Sequence, residues 1–250
     1  MMNPAEIANI AAVERELWWY RGMQMVLQRL LDPIARAEKF ERVLEAGCGT
    51  GYTGSILRDR YGWNMTLLDY DASGLAHARE LGLDRLTRGN ALALPFRDGS
   101  FDALVSLDML VHIEPGGEDQ VTREFARVLR PGGLLVIRAA AFNFLRSNHS
   151  KFVHEVQRFT RPQLRASAES AGFRIERATY ANSFLLPVAA FKFRIWEPIT
   201  RQPPSTGVAP VPGWLDALLC APLRMEAAWI GAGGSLPVGQ SLLMIARRVK

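Results

Sequence analysis

Three glycines at alternate positions follow an apolar stretch early in the chain. Gly47, Gly49 and Gly51 come directly after a predicted strand, Arg42–Ala46, in the run Val-Leu-Glu-Ala-Gly-Cys-Gly-Thr-Gly. Glycine tolerates positive φ and has no Cβ, so the backbone can turn tightly from strand to helix and approach a ligand closely. The spacing therefore predicts a loop that holds a nucleotide-like cofactor.

An acidic residue ends the second predicted strand, 65–69. Asp69 lies about 20 residues beyond the glycines, where doubly wound nucleotide-binding folds place a carboxylate that accepts hydrogen bonds from both ribose hydroxyls. Loop and carboxylate together indicate an adenosine. The dinucleotide pattern G-x-G-x-x-G occurs at 49–54, and it makes a nicotinamide-dependent dehydrogenase the rival interpretation. Its third glycine is misplaced when the count begins at Gly47, where the strand ends.

Five segments, in order and spacing, resemble the motif series of class I S-adenosylmethionine-dependent methyltransferases. The segments are 45–51, 69, 89–96, 100–102 and 129–135. The resemblance covers residues from about 40 to 180 and is strongest to the small-molecule branch, similar to methyltransferase type 11. It implies S-adenosylmethionine as the cofactor. It also implies an α/β fold with a doubly wound, seven-stranded, mostly parallel sheet, whose last strand inserts antiparallel between its neighbours.

The resemblance also implies which residues contact the cofactor. These are Arg21, Glu45, Gly47, Cys48, Gly49, Gly51, Asp69, Tyr70, Asn90, Ala91, Leu92, Leu107 and Asp108. Glu45 and the glycine loop would wrap the methionine part, Asp69 would hold the ribose, and residues 90–92 would meet the adenine. The family most often has Asp where this chain has Asn90, and an amide oxygen can still accept from the adenine amino group without the charge.

Residues 16–21, Glu-Leu-Trp-Trp-Tyr-Arg, resemble a segment of this branch that closes over the cofactor. In that interpretation Arg21 pairs with the methionine carboxylate, because a guanidinium binds carboxylates bidentately. The alternative is an amphipathic helix whose aromatic side chains pack against the core.

The family has no universal catalytic residue, so the resemblance does not identify a general base. If the acceptor is a hydroxyl, two histidines are candidates for this role. His112 lies just beyond the fourth predicted strand on the cofactor side. His154 lies in the loop 148–159, where the branch shows a similar His-rich run before Arg-Phe-Thr. A structural role is the alternative for each histidine.

The resemblance implies a small-molecule acceptor, and we expect an oxygen nucleophile on a hydrophobic, sugar or lipid-linked metabolite. Residues 107–110, Leu-Asp-Met-Leu, lack the Asn/Asp-Pro-Pro-aromatic run of nucleic-acid enzymes that modify exocyclic amines, so no nucleic-acid substrate is expected. A scaffold that binds cofactor without turnover is a further alternative, which the intact glycines and Asp69 disfavour.

Composition favours one large domain in a reducing compartment. The chain has 250 residues and 48% hydrophobic content, enough for a full core. Cys48 and Cys220 lie far apart without a partner pattern, which predicts neither a disulfide framework nor a metal site. The first residues show no signal-peptide pattern, so a cytoplasmic location is expected. Residues 1–137 carry 15 basic and 19 acidic side chains, whereas the rest carries 15 and 6.

The alternation of strands and helices predicts four segments. They are a helical cap at 1–39, the cofactor-binding core at 40–182, a helical insertion at 183–239 and the final core strand at 240–250. The insertion contains two apolar helices whose charges exclude a membrane span, which would need about 20 apolar residues. A lid, a homodimer surface and a peripheral membrane contact are alternatives for it.

Overall fold

Strands alternate with helices through the first two thirds of the protein. The computed structural model describes residues 3–201, 203–207 and 209–249. The strands are β1 (Arg42–Ala46), β2 (Asn64–Asp69), β3 (Leu86–Arg88), β4 (Phe101–Leu107), β5 (Leu129–Ala140), β6 (Phe173–Ala181) and β7 (Ser241–Arg248). The helices are α1 (Pro4–Val13), α2 (Trp18–Ala37), α3 (Tyr52–Tyr61), α4 (Ala72–Glu80), α5 (Glu118–Val128), α6 (Asn148–Phe152), α7 (Arg161–Ser170), α8 (Leu186–Phe191), α9 (Glu197–Thr200) and α10 (Gly213–Gly231).

In the part of the chain that the structure describes, seven strands form one sheet in the order β3-β2-β1-β4-β5-β7-β6. Strands β1 to β5 pair in parallel, and β7 runs antiparallel to both of its neighbours, β5 and β6. This confirms the predicted fold. The order reverses between β1 and β4, and ligands of open α/β sheets bind in the crevice at such a reversal, outside the carboxyl ends of the strands.

Both faces of the sheet are covered by helices, which explains the nearly continuous apolar runs in its strands. On one face, α5 and α7 pack through side chains such as Phe125 and Leu164. On the other face, α2, α3, α4 and α10 pack through side chains such as Leu27, Leu57 and Leu223.

Local signals placed most element boundaries well. Strand β1 has the predicted limits. Thr160 followed three residues later by Gln163 predicts a capping box, and this box starts α7, where Gln163 Oε1 accepts from the Thr160 amide at 2.9 Å. The run Arg-Pro-Gly-Gly at 130–133 predicts a helix stop and a turn before a strand that begins at residue 134, but strand β5 begins at Leu129. The turn predicted at 130–133 lies inside this strand, where Gly132 has a φ of +74° and the register with β4 shifts.

The segment between β6 and β7 is helical, as predicted. Helices α8 and α9 are joined by a π-helical turn, Lys192–Trp196, into one continuous helical stretch, and α10 follows. Among the described residues, none of the helices is long and apolar enough to cross a bilayer.

Candidate active site

A cavity of about 950 Å³ lies at the carboxyl ends of β1, β2, β4 and β5. From the end of β1 it is lined by Glu45, Gly47, Cys48 and Gly49. The Cys48 side chain is buried, and burial raises the pKa of its thiol, so it packs as a small neutral residue. Gly51 is the N-cap residue just before α3 and does not line the cavity.

The three glycines of the loop have different structural roles. All three have positive φ, with values of +75° at Gly47, +53° at Gly49 and +76° at Gly51. A Cβ would lie 2.4 Å from Met109 Cβ at Gly47 and 2.5 Å from Ala78 Cβ at Gly51. A Cβ at Gly49 would meet no atom within 4 Å. Gly47 and Gly51 therefore allow close packing, and Gly49 keeps the loop open toward the cavity.

Asp69 is fixed beside this loop by two backbone hydrogen bonds. Its Oδ2 accepts from the Gly49 amide at 2.8 Å, and its Oδ1 accepts from the Asp71 amide at 2.9 Å. Each carboxylate oxygen keeps a lone pair for a further donor. Burial raises the pKa of Asp69. The neighbouring Tyr70 also lines the cavity.

The segment after β3 brings Asn90 and Ala91 to the cavity but not Leu92. Asn90 Oδ1 accepts from the Leu92 amide at 3.0 Å, which closes a local turn. The resemblance implies that this side-chain oxygen accepts a hydrogen bond from the adenine amino group. In the structure it also accepts a hydrogen bond within its own loop.

Two buried glutamates at this end of the cavity have raised pKa values. Burial, reinforced by the charge of Asp69, raises the pKa of Glu45 to about 8. Burial raises the pKa of Glu14 to about 7, although its Oε2 accepts from the Thr50 hydroxyl at 2.7 Å. Sequence reasoning missed Glu14, because only the packing of the N-terminal segment against the glycine loop brings it here. A cationic ligand would favour the ionised form of both groups.

Without cofactor, stability is expected to fall as the pH rises from about 5 to about 8. Glu14 and Glu45 lose their protons near a pKa of about 4.3 in the unfolded chain, whereas the folded protein holds them to about 7 and about 8. The folded state therefore binds more protons in this window, and the loss for the two groups together is on the order of 6 kcal/mol.

Urea unfolding at both ends of this pH range measures the effect. Glu45→Gln, which resembles the neutral acid, should remove most of the pH dependence, and Glu41→Gln at an exposed position should keep it. Equal pH dependence in the wild type and Glu45→Gln would contradict the assignment.

The floor of the cavity is formed after β4 and beside β5. Leu107 and Asp108 both line it. Asp108 has a φ of +57° and forms an ion pair with Arg138, whose Nη2 lies 2.7 Å from its Oδ2. The Arg138 guanidinium also lies 5.3 Å from the centre of the Trp19 ring. Sequence reasoning missed Arg138, although a charged residue near the carboxyl end of an apolar strand was the available signal.

Trp18, Trp19 and Tyr20 line the cavity, as expected of a segment that closes over it. Arg21 does not. Its guanidinium is paired with Asp216 of α10, which also accepts from the Trp18 amide through Oδ1 at 2.7 Å. The structure therefore uses Arg21 to join α2 to α10, and its pairing with a methionine carboxylate stays a prediction from resemblance.

The two predicted histidines lie together but contribute differently. The His112 ring lines the cavity, and its Nδ1 lies 3.4 Å from the backbone carbonyl oxygen of His154. Because a carbonyl only accepts, this contact favours the tautomer with the proton on Nδ1 and the lone pair on Nε2. Burial lowers the pKa of His112. His154 is exposed, has a φ of +58° and is not part of the cavity wall.

A third histidine, which sequence reasoning did not single out, lines the cavity from α6. His149 Nδ1 lies 3.9 Å from Oε1 of Glu6, a fully buried carboxylate of α1. Neither of these atoms has a hydrogen-bond partner within the described residues. This pair adds proton-accepting groups from α1 and α6 to the cavity wall.

Comparison with known proteins agrees with this geometry. Residues 44–137 match the family described as methyltransferase domain. A probable S-adenosylmethionine-dependent methyltransferase of Mycolicibacterium smegmatis is 35% identical over 131 residues, which are 52% of this chain and 48% of that protein. The 24-methylenesterol C-methyltransferase 2 of Oryza sativa is 32% identical over 150 residues, 56% of this chain and 41% of that protein.

The solved geranyl diphosphate C-methyltransferase from Streptomyces coelicolor has the same fold. It superposes with a TM-score of 0.56 at 18% identity, over 84% of this chain and 71% of that one. The chain spans about half the length of the curated relatives named above. Residues 44–137 therefore form a methyltransferase domain, similar to that of S-adenosylmethionine-dependent methyltransferases.

Proposed function

We propose that this protein transfers the methyl group of S-adenosylmethionine to a small-molecule acceptor. The observation that carries the proposal is the meeting of three features in one cavity: the open Gly49, the Asp69 carboxylate at the end of β2, and the buried Glu45. Anionic side chains beside an open glycine loop fit a ligand that carries an adenosine, an ammonium group and a sulfonium. The nicotinamide alternative finds no support in the family match.

Different residues of the protein bind different parts of the cofactor. When bound, S-adenosylmethionine supplies an electrophilic methyl group on a positively charged sulfur. Glu45 and the glycine loop hold the methionine part, Asp69 accepts from the ribose hydroxyls, and Asn90 with Ala91 faces the adenine. The aromatic segment at the start of α2 covers this end and excludes water, as methyl transfer requires.

The acceptor end of the cavity favours a hydrophobic molecule with an oxygen nucleophile. The whole cavity, at about 950 Å³, lies near the upper end of the roughly 300–1,000 Å³ typical of ligand pockets, so it has room beyond a cofactor. Apolar side chains including Ile7, Ile10, Val111 and Phe193 line it, and His112 and His149 supply proton acceptors. The rice relative is named as a sterol C-methyltransferase, which agrees with a lipid acceptor and leaves the oxygen nucleophile to rest on the two histidines. A homodimer and a cytoplasmic location stay predictions from sequence.

Calorimetric titration with S-adenosylmethionine tests the cofactor part of the proposal. Asp69→Ala is expected to weaken binding at least tenfold, because it removes a charge-assisted interaction of about 1.5–3 kcal/mol. Asp69→Asn, which keeps one acceptor for the Gly49 amide, should be weakened less, and Asp84→Ala at an exposed position should bind like the wild type. Unchanged affinity in a folded Asp69→Ala protein would remove the ribose assignment.

Transfer of labelled methyl groups to hydroxylated lipids and quinols tests turnover. Cofactor binding without transfer to any acceptor would support the scaffold alternative instead.

A further inference from the structure

The helical stretch from α8 to α9 has its apolar side turned outward. Val188, Phe191, Ile195 and Ile199 follow one another at intervals of three or four residues, so they share one face, and each is between 48% and 72% exposed. The opposite side of the same stretch supplies Phe193 and Glu197 to the cavity wall. A surface helix of a globular domain normally shows the reverse arrangement.

Helix α10 repeats this pattern. Its inner face packs on α2 through Leu223, Ala227 and Ile230. On its outer face, Trp214, Leu218, Met225 and Trp229 lie four or seven residues apart and are between 57% and 71% exposed. Glu226 Oε1 accepts from the Ser183 and Phe184 amides at 2.7 and 2.8 Å, so the chain entering α8 is held beside α10. We refer to the eight apolar side chains as the outer apolar face.

The charges of the segment 183–239 are sorted between its two sides. Its three acidic side chains are turned inward and paired: Glu197 with the Asn148 amide, Asp216 with Arg21, and Glu226 with the amides at the entrance to α8. All four basic side chains are exposed: Lys192, Arg194, Arg201 and Arg224. The solvent-facing side is therefore apolar and purely cationic.

We propose that the outer apolar face docks this protein on the surface of an anionic phospholipid bilayer. Apolar and tryptophan side chains enter the headgroup boundary, and Arg and Lys around them attract anionic lipids. A second copy of the chain fits less well, because a two-fold self-contact brings the same patch of both subunits together and sets cations against cations. The docking does not rest on the proposed methyl transfer.

Co-sedimentation with vesicles tests the docking, using phosphatidylcholine alone or mixed with phosphatidylglycerol. The wild type is expected to bind the anionic vesicles at least about tenfold better than the neutral ones. The triple variant Val188→Ser, Ile195→Ser, Ile199→Ser should lose most binding to both, and Arg194→Gln with Arg224→Gln should lose the preference for anionic lipid. Both should remain folded, since the replaced side chains are exposed. Val249→Ser, also 52% exposed but outside the segment, is the matched control.

Three outcomes would overturn the proposal. The wild type stays in the supernatant with both vesicles, or the triple variant binds as the wild type does. The third is a dimer in solution that the triple variant converts to monomer without any vesicle binding, which would make the face a contact between copies.

Discussion

Gly51→Ala is expected to lower the free energy of unfolding by about 2–4 kcal/mol, whereas Gly49→Ala should lower it by only about 1 kcal/mol. Both glycines have positive φ, so an alanine is strained at either position. At Gly51 the new Cβ would also lie 2.5 Å from Ala78 Cβ and 3.0 Å from Leu67 Cδ2. These atoms belong to α4 and β2, so a helix and a strand would have to separate.

Comparison of Gly49→Ala with Gly51→Ala also separates the effect of packing on stability from the effect of a smaller cavity on cofactor binding. A Cβ at Gly49 meets nothing in the protein and Gly49 lines the cavity, so the alanine should fold well but weaken cofactor binding at least about tenfold through steric overlap. Urea unfolding and calorimetric titration of both variants measure the two effects. Equal stability of both variants would mean that α4 yields easily, and unchanged cofactor affinity in Gly49→Ala would place the cofactor away from this glycine.

The cofactor end of the cavity was predictable because its signals are local. Gly47, Gly49 and Asp69 all follow directly from parallel strands, and the carboxyl ends of neighbouring parallel strands meet at one edge of the sheet. The proximity of Asp69 to the glycine loop could therefore be predicted from the spacing of the glycines and the end of the second strand alone. The antiparallel β7 was expected from the family resemblance alone.

Contacts between distant segments could not be read in the same way. Asp216 pairs with Arg21 across 195 residues of sequence, and Glu14 reaches Thr50 only because the N-terminal segment packs on the glycine loop. No periodicity or motif marks such partners. An arginine predicted to bind a carboxylate does so in the structure, but the carboxylate is a side chain of the protein.

The exposure of apolar side chains on α8, α9 and α10 could not be predicted from the sequence. Their apolar residues suggested helices correctly, and helical spacing alone showed which of them share a face. Which face turns to the core depends on the pairing of Glu226 and Asp216 with distant groups, so the exposure of Ile199 and Trp214 became visible only in the folded chain.

The position of His112 in the cavity wall leads to a prediction about the general base. If the acceptor is a hydroxyl, His112→Gln is expected to lower kcat by about 10²–10⁴ while cofactor affinity stays nearly unchanged. His112 lines the cavity, its contact with the His154 carbonyl leaves Nε2 as the proton acceptor, and its pKa is lowered by burial. The neutral form therefore persists below the ordinary pKa of about 6.5, and kcat should fall only in more acidic solution.

His154→Gln is the matched control, because the variant keeps the backbone carbonyl that orients His112 and replaces only an exposed ring. Its kcat should stay within about threefold of the wild type. A large loss in His154→Gln with none in His112→Gln would return the base to the loop 148–159. Full activity in both, and also in His149→Gln beside the buried Glu6, would mean that the protein accelerates transfer by positioning and exclusion of water alone, as a carboxylate acceptor would permit.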